Sequence, residues 1–224
     1  MNITFVHLSV DKIAAYLSRQ MANFFPLGDG VESTIEDAIC PTMRCLEHGF
    51  RRINHPSYNR DSVALFNVLN SDHYASFLCL LGREIHRMHP HHPVAQKCFL
   101  LNKALHGLNC MYDVELPPVF WLLHTVGSVI GKAKYGNYLV IRQGCTIGAM
   151  RGEYPVTGDG FIMSSGCSII GPSIVADNVM LAPNTSVLGE NIGPNTLLSG
   201  HYAHGLTYKE MGRRPLNAHF IFDE

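Results

Sequence analysis

The stretch TGDGFIMSSGCSIIGPSIVADNVMLAPNTSV, residues 157–187, places an apolar side chain at nearly every sixth position. Steps of six residues from Thr157 reach the following side chains: Met163, Ile169, Val175, Leu181 and Val187. Ile141 and Ile147 form one more pair with this spacing. A period of six fits neither the α-helix, with about 3.6 residues per turn, nor the simple strand, with about two. It is typical of a coil of short strands and tight turns, in which three units close one triangular turn.

Small side chains at a second set of positions support the coil. The residues four places further on are small or β-branched: Cys145, Cys167, Ser173, Val179 and Thr185. Each large side chain would point into a narrow prism, each small one would fit where the wall bends, and stacked turns would pair as parallel strands. An ordinary sandwich of short strands is the alternative, but it predicts alternating polarity and hairpin turns such as Asn-Gly, which this region lacks. The pattern favours a parallel β-helix.

Breaks in the six-residue spacing predict where the coil is irregular. Ile147 and Thr157 are ten residues apart, so the segment 148–155 (GAMRGEYP) is expected to leave the coil as a loop. Loops on a rigid scaffold often carry function. A local irregularity is expected around Gly136, and the last turn near Ile192 is expected to be slightly tightened.

Before about residue 110 the apolar spacing is helical. Ser9 can cap a first helix, a second is expected over 31–53 and is interrupted or kinked at Pro41, a third begins near Asp72, and a fourth follows Pro93. The predicted fold class is therefore α+β, with a helical N-terminal domain followed by a β-helix of six-residue repeats. The expected parts are the helical domain over 1–110, the β-helix over 111–200 and a polar C-terminal tail over 201–224.

Composition excludes several classes of partner. The chain has 224 residues, of which 46% are hydrophobic and 16% charged, and a formal net charge of −1, as in a soluble globular protein. Lys and Arg (17) balance Asp and Glu (18), so no positive field would attract nucleic acid or anionic lipid. No apolar run approaches the roughly 18 residues that span a bilayer, and residues 1–10 lack the order of a signal peptide. We expect a cytoplasmic protein without nucleic-acid or membrane partners.

Cysteines and clustered histidines do not predict a metal cofactor. The seven cysteines are odd in number and form no CxxC pair, so neither a disulfide framework nor a thiolate zinc site is indicated. Two groups of histidines lie outside the repeats: His86, His89, His91 and His92 between two helices, and His201 and His204 after the coil. No carboxylate or cysteine is arranged with them, and the prolines at 90 and 93 indicate a turn with the rings in water.

His124 is the main candidate for chemistry. It lies in LLHTVGSVIG, residues 122–131, at the entrance to the coil. Histidine is well matched to accepting a proton near neutral pH, especially when a carboxylate orients its ring, and Asp113 is a candidate for that carboxylate. The alternative is an imidazole packed on the coil wall and bonded to a carbonyl, which residue type alone favours.

Three motifs give the chain a family resemblance over roughly residues 60–200. They are NKALHG at 102–107, DVELP at 113–117 and HTVGSVIG at 124–131, followed by the repeats. Together they resemble the serine acetyltransferase group of the hexapeptide-repeat acyltransferases. The resemblance implies a left-handed β-helix that assembles as a homotrimer or a dimer of trimers.

The resemblance also implies an activity, that of an acetyl-CoA-dependent O-acetyltransferase. Acetyl-CoA, the co-substrate, would lie in a cleft between neighbouring coils, and no metal would be needed. His124 would be the general base that deprotonates a small hydroxyl acceptor, with Asp113 orienting it, and the acceptor oxygen would attack the thioester directly. Gly148 and Ser165 would line the path of the thioester.

Departures from the family pattern leave the acceptor open. The serine enzymes have Asp immediately before the histidine, where this chain has Leu123, and they have Arg-His-Pro after the loop, where this chain has Glu153, Tyr154 and Pro155. The Arg-His pair helps to hold the amino-acid acceptor, so its absence weakens serine as the substrate. A Tyr-Pro pattern occurs among relatives that resemble sugar or polysaccharide O-acetyltransferases. Tyr154 is a candidate hydrogen-bond donor to either kind of acceptor.

Three arginines are further candidates for binding anionic groups. Arg151, in the loop, would meet an acceptor carboxylate or the CoA phosphates through its planar fork, or is simply a solvated charge. Arg213 and Arg214 are placed after the coil, where a tail would reach the adenosine 3′-phosphate, although two exposed arginines are more often only solvated.

Two other functions remain open on the sequence. The chain would be a non-catalytic trimeric scaffold if its helical domain docked a partner, such as a biosynthetic sulfhydrylase, and the coil only held three copies together. Transfer to an amine would keep the same fold and base and change only the product.

Overall fold

The computed structural model describes residues 2–26, 28–212 and 214–222. Within these ranges, the helical part of the chain contains four helices and a few short strands. In chain order they are β1 (Ile3–Val6), α1 (Val10–Phe24), α2 (Val31–Phe50), β2 (Asn59–Arg60), β3 (Val63–Asn67), α3 (Ser71–Met88) and α4 (Pro93–His106). The four helices predicted from apolar spacing are confirmed, and Pro41 lies inside α2 without ending it.

Side chains cap the starts of α3 and α4, whereas Ser9, at the start of α1, makes no capping side-chain hydrogen bond. The Asn70 side chain accepts the N–H groups of Asp72 and His73 at the start of α3. The imidazole of His92 does the same for α4, which ends at Gly107 in the left-handed conformation, with φ of 63°. Apolar side chains at three-to-four spacing then face inward, as in α1: Ile13, Leu17 and Met21.

A small sheet accompanies the helices, in the order β1-β3-β2. β1 is parallel to β3, and β2 and β3 form an antiparallel hairpin. The sequence pattern did not predict this sheet, because its strands are too short to establish a period. Its importance lies in its position, since β3 leads directly into the cap of α3.

The second half of the chain winds into a coil of short parallel strands. They are β4 (Asn109–Cys110), β5 (Phe120–Leu122), β6 (Val129–Ile130), β7 (Leu139–Ile141), β8 (Thr146–Gly148), β9 (Val156–Thr157), β10 (Ile162–Met163), β11 (Ser168–Ile170), β12 (Ile174–Val175), β13 (Val179–Leu181), β14 (Ser186–Leu188), β15 (Asn191–Ile192) and β16 (Thr196–His201). Ile169 pairs with Val187, 18 residues later, which is one turn of three six-residue units. The predicted fold class, helical domain then parallel β-helix, is confirmed.

The coil has three faces. The first consists of β4, β6, β8, β11 and β14, the second of β9, β12 and β15, and the third of β5, β7, β10, β13 and β16. The side chains of the six-residue repeat fill the interior between them, all almost completely buried: Ile141, Ile147, Met163, Ile169, Val175, Leu181 and Val187. The small side chains four places later are buried as well, so the interpretation of both sets is confirmed.

The irregularities also lie where the spacing placed them. Ile147 pairs with Ile169, 22 residues later, and the residues beyond a regular turn form a loop between β8 and β9. Gly136 lies at a close approach of two turns, because a Cβ there would be 2.2 Å from the backbone of Gly158.

The segment expected as a polar tail contains regular structure. β17 (Gly205–Glu210) runs antiparallel to β16, and α5 (Arg214–His219) follows. The chain then returns to the helical domain, where the N–H of Ile221 donates to the carbonyl of Arg52 and Phe220 pairs with Ile53. Among the described residues, every helix is too short or too polar to cross a lipid bilayer.

Candidate active site

His124 lies at the corner where the third face of the coil turns into the first. The N–H of Leu123 donates to Ile141 (2.9 Å) and that of Gly127 to Gly107 (3.1 Å), so both sides of the corner are fixed. His124 itself has φ of 52°, in the left-handed region that costs a residue with a Cβ on the order of 1 kcal/mol. This conformation directs the imidazole outward, and 73% of the side chain is exposed. The alternative of a ring packed on the coil wall is therefore wrong.

The carboxylate beside His124 is Asp72, at the start of α3. Its Oδ1 accepts the backbone N–H of His124 at 3.0 Å, and its Oδ2 lies 3.9 Å from the Nδ1 of the imidazole. The Asp72 side chain is only 11% exposed. The helical domain thus contributes a nearly buried carboxylate to the corner of the coil at which the His124 side chain is exposed.

The environment of Asp72 shifts its ionisation. Burial raises the pKa of this carboxyl, and the hydrogen bond and charge of His124 act in the opposite direction. Asp72 stands in the first turn of α3, where the Asn70 cap fixes the backbone. Sequence reasoning missed this residue because an Asp in a first helical turn is common and 52 residues separate it from His124.

Asp113, the predicted orienting acid, has a different partner within the chain. Its Oδ2 forms an ion pair with Lys132 at 2.8 Å, which raises the pKa of that lysine. Its Oδ1 is buried and has no hydrogen-bond partner among the described residues. Within one chain, Asp72 and not Asp113 is the carboxylate next to His124. Lys132 was not singled out from the sequence.

The predicted site residues occupy two different corners of the coil. Ser165 is half-buried at the corner of His124, where the N–H of Asn184 donates to its carbonyl. Gly148 ends β8 at the next corner, to which Asp113 and Lys132 also belong. About five extended residues of the first face separate the corners, a distance of about 15 Å.

The loop after Gly148 projects from this second corner. Met150 and Glu153 exchange two backbone hydrogen bonds of 3.0 Å, which closes a tight turn through Arg151, whose φ is 53°. Arg151 and Tyr154 are exposed, and Tyr154 lies near enough to affect the ionisation of Lys132. The second corner therefore presents a lysine, a carboxylate, an arginine and a phenol.

The remaining predicted residues are further away or outside the described part. Arg213 lies outside the described residues, and Arg214 begins α5 but its side chain is not described. In the described ranges, no three His, Cys, Asp or Glu side chains are placed to hold a metal ion. The histidine cluster after α3 bonds locally instead, since His86 accepts the N–H of His91 and His92 caps α4.

Solved structures of serine acetyltransferases share this architecture. A serine acetyltransferase in complex with cysteine superimposes with a TM-score of 0.71 at 16% identity, covering 91% of this chain and 86% of that one. The chain has the serine acetyltransferase fold. The enzyme from Brucella abortus in complex with coenzyme A gives 0.70 at 14% identity, with 92% and 84% covered. That from Neisseria gonorrhoeae gives 0.66 at 19% identity, with 92% and 80% covered.

This likeness is one of fold, carried by the three-dimensional course of the chain. No protein-family model matches the sequence, and no curated protein matches it either. The serine acetyltransferase fold nevertheless extends over both the helical domain and the coil, since more than nine tenths of the chain is covered. Asp72 comes from the helical domain and His124 from the coil.

Proposed function

We propose that the protein is an acetyl-CoA-dependent O-acetyltransferase that acts on a small hydroxyl acceptor. The observation that carries the proposal is the exposed imidazole of His124 held against the nearly buried carboxylate of Asp72, at a corner of this fold. Structures of the same fold are described with coenzyme A, with serine and with cysteine. Those ligands belong to the other proteins, and they guide the choice of co-substrate and acceptors to test.

His124 is proposed as the general base. Its Nδ1 faces Asp72, so Nε2 is the nitrogen directed to solvent and to an acceptor. Nε2 takes the proton of the acceptor hydroxyl while the acceptor oxygen bonds to the thioester carbonyl carbon. The carbon–sulfur bond then breaks, and the thiolate of CoA recovers the proton. General base catalysis of this kind contributes about 10² to 10⁴ in rate, and Asp72 stabilises the imidazolium that forms.

Completing the site requires a second copy of the chain. His124 and Ser165 stand at one corner, whereas Gly148, Asp113 and the loop stand at the next, about 15 Å away. A trimer of coils would bring the first corner of one copy beside the second corner of its neighbour. The proposed cofactor path is then lined by Ser165 from one copy and Gly148 from the other, with Asp113 as an orienting acid supplied across the interface.

The acceptor is proposed to be either an amino acid such as serine or a sugar. Tyr154 is 46% exposed at the tip of the second corner, beside the Lys132–Asp113 pair. A phenol suits a hydroxyl-rich sugar ring, whereas Lys132 and Arg151 suit an acceptor carboxylate. The side chains of this corner thus favour neither an amino acid nor a sugar over the other, and an assay has to identify the acceptor. Arg213 and Arg214 stay candidates for the 3′-phosphate of the cofactor.

The test is the replacement His124→Ala, assayed for acetyl-CoA consumption with a panel of amino acids and sugars. We expect loss of at least a hundredfold in kcat, the lower end of what a general base supplies. His204→Ala, at an exposed histidine of the C-terminal hairpin, is the matched control and should leave kcat unchanged. Retained activity in His124→Ala would remove the mechanism.

Calorimetry separates the enzyme from the non-catalytic scaffold. Titration of the wild-type protein with acetyl-CoA should release heat, and a trimer that gives none at high micromolar cofactor would be a scaffold. Transfer to an amine is distinguished by the products from matched hydroxyl and amine acceptors.

A further inference from the structure

Three aromatic side chains next to Asp72 bury polar atoms that no described residue pairs. These atoms are the hydroxyl of Tyr58, Nε2 of His73 and Nε1 of Trp121. The three residues are 3%, 0% and 7% exposed. Their rings are neighbours, with centroids 4.2 Å apart for Tyr58 and His73 and 5.5 Å apart for Tyr58 and Trp121. Buried polar groups are almost always hydrogen-bonded, so three unpaired polar atoms in one cluster indicate that the three side chains belong to one hydrogen-bond network.

The cluster touches both chain segments that carry the Asp72–His124 pair. His73 directly follows Asp72 in the first turn of α3. Trp121 lies on β5, three residues before His124. Tyr58, from the loop before β2, stands between them. A movement of any of these rings would therefore displace one partner of the pair relative to the other.

The cluster contains more donors than acceptors. The N–H of Asn67 donates to Nδ1 of His73 at 3.2 Å, so the ring proton of the neutral imidazole is on Nε2. Burial, with a smaller effect of His55, lowers the pKa of His73 to about 4, so the ring is neutral at pH 7. Trp121 offers only a donor. The Tyr58 oxygen is the one acceptor among the three unpaired groups, so the hydroxyl proton of Tyr58 would need an acceptor outside the cluster even if both N–H groups bonded to that oxygen.

Besides Asn59 Oδ1, which is also buried and has no described partner, the acceptor that acts on this phenol is the carboxylate of Asp72. Burial raises the pKa of Tyr58, the charge of Asp72 raises it further, and the Trp121 N–H acts in the opposite direction. The phenol therefore lies within electrostatic reach of Asp72, and the indole ring is its neighbour at 5.5 Å between centroids. A carboxylate has about four lone-pair sites; the N–H of His124 occupies one and the Ser71 side chain acts on another, which leaves capacity for a further donor.

We propose that Tyr58, His73 and Trp121 form a donor cluster whose hydroxyl proton reaches the Asp72 carboxylate through one ordered water. They are then positioning residues for Asp72 and His124, a role that rests on the proposed acetyltransferase function. Donors to a carboxylate stabilise its ionised form, so the cluster opposes the effect of burial on Asp72. The titratable groups facing it are Tyr58, His73 and His124, with His55 and His219 beside the indole.

The single tryptophan of the chain makes the hydrogen bonds directly measurable. In the full-length protein labelled with nitrogen-15, Trp121 gives the one indole N–H signal. We expect this signal to be protected from solvent exchange and to shift as Asp72 ionises, at a pH above the ordinary range of aspartate. Asp72→Asn should abolish that titration step, and any step that persists belongs to the neighbouring histidines.

Tyr58→Phe tests the link between the indole and the carboxylate. It should shift the indole signal and uncouple it from the Asp72 titration. The matched control is Tyr74→Phe, another buried tyrosine, whose hydroxyl donates to Gln20 at 2.5 Å on the other side of α3. The control should leave the indole signal in place, with thermal unfolding followed for both variants. The proposed cluster is wrong if the indole N–H shift is the same in Tyr58→Phe as in wild type, or if it does not change with pH as Asp72 ionises. Either result holds whether or not the protein is an acetyltransferase.

A kinetic measurement tests the positioning role separately. With one hydrogen bond to the carboxylate lost, kcat should fall about three- to tenfold in Tyr58→Phe. The acidic limb of its pH profile should move to higher pH, because Asp72 ionises less readily. KM for acetyl-CoA should not change. An unshifted pH profile in a variant whose indole signal has moved would overturn the positioning role and leave the proposed function standing.

Discussion

Replacing Asp72 by Asn should slow the reaction without removing the hydrogen bond that fixes the corner, because the amide oxygen can still accept the N–H of His124. What is lost is the attraction between the carboxylate and the imidazolium, whose atoms are 3.9 Å apart. That attraction is about 1 kcal/mol in water and about 4 kcal/mol at a dielectric constant of 20. Since the His124 side chain is 73% exposed, solvent screening favours about 1–2 kcal/mol. The expected fall in kcat is therefore about 5- to 30-fold.

The assay should follow the loss of the thioester absorbance of acetyl-CoA rather than thiol release. The chain has seven free cysteines, and Cys40 is exposed, so a thiol-reactive dye would also label the protein. Asp37→Asn, at an exposed aspartate of α2, is the matched control. A kcat within twofold of wild type for Asp72→Asn would refute the electrostatic pairing, as would an equal fall in the control.

The same replacement should change the pH dependence of stability. Burial holds the pKa of Asp72 above its ordinary, unfolded value. Between these two values the folded state binds more protons than the unfolded state, so the contribution of Asp72 to stability is lost as pH rises through the folded pKa. Asp72→Asn should thus be more stable than wild type near neutral pH, with a difference that shrinks on acidification below the unfolded pKa. Thermal unfolding at several pH values measures this, and a difference that grows on acidification contradicts it.

Two further predictions concern the coil and its assembly. Ile169→Ala, in the fully buried stack between Ile147 and Val187, should lower the free energy of unfolding by about 2–5 kcal/mol, measured by denaturant titration; a loss below 1 kcal/mol would contradict close packing of the prism. Copies carrying His124→Ala, refolded with an equal amount of copies carrying Asp113→Ala, should exceed the mean activity of the two variants measured alone if each site joins two copies, because about a quarter of the sites would then contain both intact side chains. A site contained in one chain would give only that mean.

The coil could be predicted from the sequence because it depends on a short pattern of apolar side chains that is repeated many times. Every sixth side chain must fill the same prism, so Ile141 and Val187 obey one rule although they lie more than two turns apart. The loop from Gly148 was visible for the same reason, as an interruption of that rule. The small sheet of β1, β2 and β3 escaped detection because two to five residues do not establish a period.

Only one member of the candidate pair, His124, could be predicted from the sequence. His124 stood out as a single histidine at the entrance to the repeats and as the first residue of the HTVGSVIG motif, and the structure exposes its side chain at a corner with left-handed backbone. Asp72 could not be predicted in this way, because its contact with His124 depends on how a helix packs against the coil. The assignment of Asp113 followed its position in a motif. The register of β4 with β6, which puts Cys110 beside Ile130, carries Asp113 toward the corner of Lys132 instead.

In the proposed enzyme, the position of Asp72 makes the helical domain part of the reaction centre. A coil alone would present His124 without the acid that binds its backbone N–H and faces its ring. That acid is placed by the Asn70 cap, and the cap follows β3, whose last residue, Asn67, also binds His73. The short sheet and the first turn of α3 therefore determine the geometry at the coil's corner. Selection for the proposed catalysis would then act on residues far from the repeats, and the helical domain would take part in the reaction through Asp72.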